Sequence, residues 1–305
     1  MQQSNSASPG LIGIIVLMGI FAISSGAILV RLATDAAENN SLGFSLVMSA
    51  SRLGFAALLL SPHWIRNPWR QVPAQALRSA IIAGVFLALH FPAWFLSLTY
   101  TSIAASTTLV TTSPIWVALL SWLWLKEPIS KQTGLGIIVA LSGSLLIATA
   151  GNPGTLDGQN ILLGNSLALF GAIAVSFYLV LGRQSQRQGL TTANYITVAY
   201  TSAAILLFPL PFLFGTDYGG YPSEVYLYLI LMAVIPQLIG HTSLNWSMNQ
   251  TSPHLVSLAI LLEPVGSSLL GFLLFQEVPS AAVVLGGGVI LTGVAITVLS
   301  FQTRG

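Results

Sequence analysis

The chain has 305 residues, 54% of them apolar and only 6% charged, with a mean hydropathy of +0.82. A soluble domain carries about 25% charged residues, so ten basic and eight acidic side chains cannot cover a water-soluble fold of this length. The net charge of +2 is dispersed and forms no basic patch, which excludes a nucleic-acid face, and the absence of cysteine excludes disulfides and thiolate metal sites.

Crossing the hydrocarbon takes roughly 20 mostly apolar residues. Ten segments meet this description: 11–33, 43–60, 77–99, 103–125, 132–150, 161–182, 192–214, 225–248, 253–275 and 281–301. The first ten residues carry no charged side chain and lack the basic stretch of a secretory signal, so the first segment is expected to be retained. With the N-terminus inside, eight of the ten Lys and Arg fall on one face: Arg66, Arg70, Arg78, Lys126, Lys131, Arg183, Arg187 and Arg304. Asp35, Glu38, Asp157, Asp217, Glu224 and Glu277 collect on the other. This is the positive-inside pattern, and it puts both termini in the cytoplasm.

The fourth and ninth segments repeat one another. TSPIWVALLSWLWLKE, Thr112 to Glu127, aligns without a gap to LEPVGSSLLGFLLFQE, Leu262 to Glu277, at an offset of 150 positions. Pro114 matches Pro264, Glu127 matches Glu277, and Gly136 and Gly143 match Gly286 and Gly293. The chain therefore divides into two units of five segments, 1–150 and 151–305. Because five is odd, the second unit enters the membrane from the opposite side. The expected fold is all-α and integral to the membrane, with ten helices as two inverted five-helix repeats around a central cavity.

These motifs resemble the drug/metabolite transporter superfamily, specifically its ten-helix EamA-type carriers. The resemblance rests on the duplicated Pro-x12-Glu-x8-Gly-x6-Gly block, on SSGAILVRLA ending at Ala33, on SRLGFAALLL around Arg52 and on LSLTYTSIAAS after Leu96. It implies a ten-helix fold with a central cavity between the halves and export or uptake of small metabolites; with the alternating access that inverted repeats support, a secondary carrier for a small organic metabolite in a bacterial inner membrane is expected. It implies no particular substrate. The basic residues that form a phosphate clamp in plastid sugar-phosphate relatives are missing from the late segments, which disfavours phosphorylated solutes.

The repeated residues describe a scaffold: glycines for close helix approach, Pro114 and Pro264 inside helices as kinks, and Glu127 and Glu277 at helix ends, as bonds to neighbouring helices or as gates. The residues that break the repeat are the better candidates for function. Glu263 faces Ser113 across the alignment, and Arg52 faces Ser202. At mid-membrane both need a partner or a wet cavity, and an Arg52–Glu263 ion pair is one expectation. A carboxylic acid in such a pocket would also suit proton coupling or an amino group on the solute. His90 and Trp94, and His241 and Asn245, are each four apart and share a helix face. Gln237 accompanies the second pair, His254 lies near a helix end, and Thr107, Thr108, Thr111, Thr112 and Ser113 form a polar run before Pro114. The expected solute site is thus Glu263, His90, Trp94, His241, Asn245, Thr112 and Ser113. That mix suits an amino acid, an amine or a nucleobase better than a sugar phosphate. No catalytic motif, metal-ligand set or cofactor fingerprint is present, so an enzyme is not expected. The expected partners are the solute, membrane lipid and a proton or other coupling ion. A channel or sensor without coupled transport is the alternative.

Overall fold

The computed structural model describes residues 7–126, 130–149, 160–251, 256 and 259–302. Its elements, in chain order, are α1 Pro9–Ala37, α2 Leu42–Leu59, α3 Ser61–Arg66, α4 Ala74–Tyr100, α5 Ile103–Val110, α6 Ser113–Leu125, α7 Lys131–Thr149 and α8 Ile161–Arg187. There follow α9 Thr192–Leu207, α10 Leu210–Leu213, α11 Ser223–Met232, a π-helical stretch Ala233–His241, α12 Thr242–Gln250, α13 Glu263–Phe275 and α14 Ala281–Gln302. There is no strand among the described residues.

Helix starts are set by local chemistry. Ser8, Ser41, Ser102, Asn160 and Thr191 each accept a backbone N–H from the first turn of α1, α2, α5, α8 and α9. Lys126 and Gln276, at aligned positions, end α6 and α13 in the same left-handed conformation, each at φ 55°. The outside is apolar, unlike that of a soluble protein, and the largely apolar interior also buries charge and amide groups: Phe21 is 77% exposed and Leu162 74%, while Arg52 and Gln237 are fully buried. Among the described residues seven helical stretches are long and apolar enough to cross a membrane, and Gly134–Gly143, Glu263–Phe275 and Ala281–Gly293 are shorter apolar helices. The molecule is thus a multi-pass membrane protein.

Two kinds of break position the site. The expected continuous helix over 103–125 is split at Thr111–Thr112. Pro114 therefore does not kink a helix from within but sits in the first turn of α6, and Pro264 does the same in α13 after a 3-10 turn over Ile260–Leu262. The cause is local. Thr107, Thr108, Thr111 and Thr112 turn their hydroxyls onto carbonyls three or four residues back at 2.6–2.8 Å, a habit that bends helices. The prolines then deny residues 110 and 260 their α-helical donor. The second kind is the π-helical stretch, which accommodates Pro236 by widening the turn.

Packing is reciprocal. Helix α4 runs along α8, and α1 runs along the 223–250 stretch. Ser24 of α1 donates to the Glu263 carbonyl at 3.4 Å, and Ser176 of α8 donates to the Ser113 carbonyl at 3.1 Å. Helices α7 and α14 meet so closely that a Cβ at Gly143 would lie 2.6 Å from the Gly286 carbonyl, and one at Gly293 2.5 Å from that of Gly136.

Candidate functional site

The breaks and the long helices enclose a cavity of about 40 Å³. Helix α4 contributes His90 and Trp94, the π-helical stretch and α12 contribute His241 and Asn245, and the two proline breaks contribute Thr111, Ser113 and Glu263. Six of the seven side chains expected at the solute site therefore line one chamber. The seventh, Thr112, does not: its hydroxyl donates to the Leu109 carbonyl at 2.7 Å and accepts from Trp116 at 3.3 Å. Thr111 takes its place because the helix break turns the chain before Pro114. Val110 and Ile260, whose carbonyls the prolines release, also line the chamber.

Each polar group is held differently. The His90 ring donates from Nδ1 to the Gly171 carbonyl at 2.9 Å. Since a carbonyl only accepts, this fixes a hydrogen on Nδ1 and leaves Nε2 as the acceptor of the neutral ring. The imidazole stacks on Trp94 at 5.9 Å between centroids. His241 sits edge-on to Phe91 and Tyr178. The Asn245 amide donates to the Tyr178 hydroxyl and to the His241 carbonyl, both at 2.7 Å. Sequence reasoning missed Tyr178, because nothing in the pattern of α8 shows which helix faces it.

Glu263 is 7% exposed, and its carboxylate makes no hydrogen bond to a described residue. The expected ion pair with Arg52 is not formed in this conformation. Arg52 instead donates from Nε to the Gln237 side-chain oxygen at 2.7 Å, with its guanidinium carbon 4.1 Å from the Phe91 ring centroid. A desolvated cation–π contact is worth about 2 kcal/mol, against a cost of several kcal/mol for burying an unpaired ion. Arg31 of α1 reaches the end of α4 and donates to the Leu98 carbonyl at 2.9 Å. Glu277 accepts the Ile103 backbone N–H at 2.8 Å and so fastens the end of α13 to the start of α5. Glu127 and His254 lie outside the described residues. Among the described residues no cluster of three metal-ligating side chains occurs.

The fold and the chamber define a multi-pass integral membrane protein with polar groups gathered between its helices. The family model of the EamA-like transporter family matches residues 8–149 and again 162–299. The chain belongs to that family and is a membrane transporter; members of the family are not enzymes. It is similar to YyaM of Bacillus subtilis (strain 168), an uncharacterized transporter, at 26% identity over 68% of this chain and 71% of that one. It is also similar to the pseudopaline exporter CntI of Pseudomonas aeruginosa (strain UCBPP-PA14), at 24% identity over 76% and 78%. A solved crystal structure, 19% identical, covers 98% of this chain and 100% of its own with a TM-score of 0.65, a likeness of fold.

Proposed function

We propose that this protein is a secondary active carrier, moving a small organic metabolite by alternating access between two inverted five-helix repeats, residues 1–150 and 151–305. Support for the repeats comes from the two separate family matches. It comes also from the reciprocal serine and glycine contacts, and from the matching left-handed ends at Lys126 and Gln276. Aligned positions 110 and 260, and 113 and 263, line the same chamber. Loop charge favours cytoplasmic termini in a bacterial inner membrane.

The observation that carries the reading is the chamber itself: a free carboxylate, two imidazoles, an amide, hydroxyls and an indole, drawn from both halves of the chain. That set suits an amino acid, an amine or a nucleobase-like solute, with Glu263 as the group that takes up a proton or an ammonium. The named role of CntI favours export as the direction. Pro114, Pro264, Glu277 and Glu127 belong to the moving frame, as hinge points and gates.

Counterflow tests the reading. Proteoliposomes holding the purified protein and loaded with an unlabelled amino acid, amine or nucleobase should accumulate the labelled form transiently above equilibrium. A pore gives only monotonic equilibration, and that result across the panel would favour the channel alternative.

A further inference from the structure

Behind the chamber wall lies a set of buried hydrogen-bond donors with nothing to donate to. Both Nη atoms of Arg52, Nε2 of Gln237 and Nε1 of Trp94 are buried without a partner. The Arg52 Nε–Gln237 bond uses the Gln237 oxygen and leaves its NH₂ unmatched; the Tyr200 hydroxyl, also buried without a partner, is a neutral acceptor in the same region and supplies no counter-charge. What remains is a demand for an acceptor beside a full positive charge.

Among the described residues no carboxylate meets that demand. Glu263, the nearest candidate, makes no bond to the guanidinium, and Asp35, Glu38, Asp217, Glu224 and Glu277 lie at or beyond helix ends. The Phe91 and Phe95 rings pack on the guanidinium at 4.1 and 5.9 Å from their centroids. Such contacts act on the face of the planar fork and cannot satisfy the N–H groups on its edge. Gly26 of α1 keeps the neighbourhood open: a Cβ there would sit 3.1 Å from the Trp94 ring and 3.7 Å from Arg52 Nη1. Trp94 is the link to the chamber, since its indole also forms part of the wall shared with Glu263.

We propose that Arg52, Gln237 and Trp94 form a carboxylate-binding subsite of the solute chamber, occluded in this conformation and exposed when the chamber widens. The proposal rests on the carrier reading and sharpens its substrate class. Arg52 presents two adjacent N–H groups in the geometry that matches a carboxylate, the Gln237 amide and the Trp94 indole hold the further unmatched N–H groups, and Glu263 lines the chamber where a cationic group would sit. A solute bearing both an amino group and a carboxylate fits this pair of subsites; an amine or a nucleobase fills only one. The present chamber, about 40 Å³, holds about three waters and no such solute. The helix carrying Phe91 and Trp94 and the π-helical stretch carrying Gln237 must therefore separate for binding.

The test is equilibrium binding to the purified full-length protein in detergent, followed by thermal shift and calorimetry. The probes are the twenty L-amino acids, short mono- and dicarboxylates, sodium chloride and sodium phosphate, with the decarboxylated amine and the amide of every binder. The expected result is that carboxylate-bearing probes bind and that removing the carboxylate weakens binding on the order of tenfold or more. Arg52→Gln should abolish that discrimination, while Arg52→Lys keeps it at lower affinity. Trp94→Phe, which removes one N–H and little volume, should weaken carboxylates selectively and keeps the proposal testable if Arg52→Gln does not fold. Equal binding of acid and amine, discrimination that survives Arg52→Gln, a preference for chloride or phosphate, or no binding by any carboxylate would each overturn it. Counterflow of an amine with no carboxylate preference would sink this subsite and leave the carrier standing; absence of counterflow by every solute would sink the carrier reading itself.

Discussion

An ionised side chain at the centre of a bilayer costs about 2.5–3.5 kcal/mol on insertion scales, so each buried charge must be held by something or put to use. Arg52 is held, through Gln237 and Phe91. Glu263 lines the chamber with no hydrogen bond to a described residue, which is the basis for proposing it as the group that takes up a proton or the solute's ammonium. Glu263→Gln keeps the shape and removes the exchangeable charge. The expected outcome is loss of proton-driven accumulation in proteoliposomes with an imposed pH gradient, together with weaker exchange of solutes that carry an amino group. Unchanged uphill transport by the variant would remove Glu263 from the coupling step.

At the scale of elements, the seam between α7 and α14 makes a sharp mechanical demand. Gly143 and Gly293 each oppose a backbone carbonyl of the other helix, and a Cβ at Gly143 would also press on Ile290 at 2.9 Å. Backbone cannot move aside as a flexible side chain would. Gly143→Ala and Gly293→Ala should each lower stability by about 1–3 kcal/mol, as overpacking does. Gly134→Ala, where a Cβ meets nothing within 4 Å, should be neutral or raise stability by about 0.5–1 kcal/mol. Thermal unfolding in detergent would rank the three. This seam was legible in the sequence because glycines seven apart recur in both halves. The site was legible only in part. Four-residue spacing put His90 with Trp94 and His241 with Asn245, and the misalignment of Glu263 with Ser113 marked both positions. Helical spacing says which residues share a face, yet it does not say how that face is turned when the helix breaks. Thr112 was therefore expected where Thr111 stands. For the same reason Arg52 was matched by depth to Glu263, while the π-helical turn at Pro236 brought Gln237 to it instead.

At the scale of the whole molecule, the proposed inversion of the two repeats has a geometric consequence that a parallel duplication would not have. Two repeats related by an axis in the membrane plane place every pair of aligned residues at opposite depths. Lys126 and Gln276 are such a pair. Both are exposed, and both close their helix in the left-handed conformation. The chain contains no cysteine, so the natural protein serves as its own unreactive background. Lys126→Cys should be labelled by a membrane-impermeant maleimide only from the cytoplasmic face, and Gln276→Cys only from the opposite one. Asn67→Cys and Gly219→Cys, in the loops after α3 and α10, give references for the two faces. Labelling of Lys126→Cys and Gln276→Cys from the same side would refute inversion, and with it the reason for expecting each half to adopt the other's conformation. Labelling from opposite sides, but with Lys126→Cys outside, would keep the inversion and reverse the orientation read from loop charge.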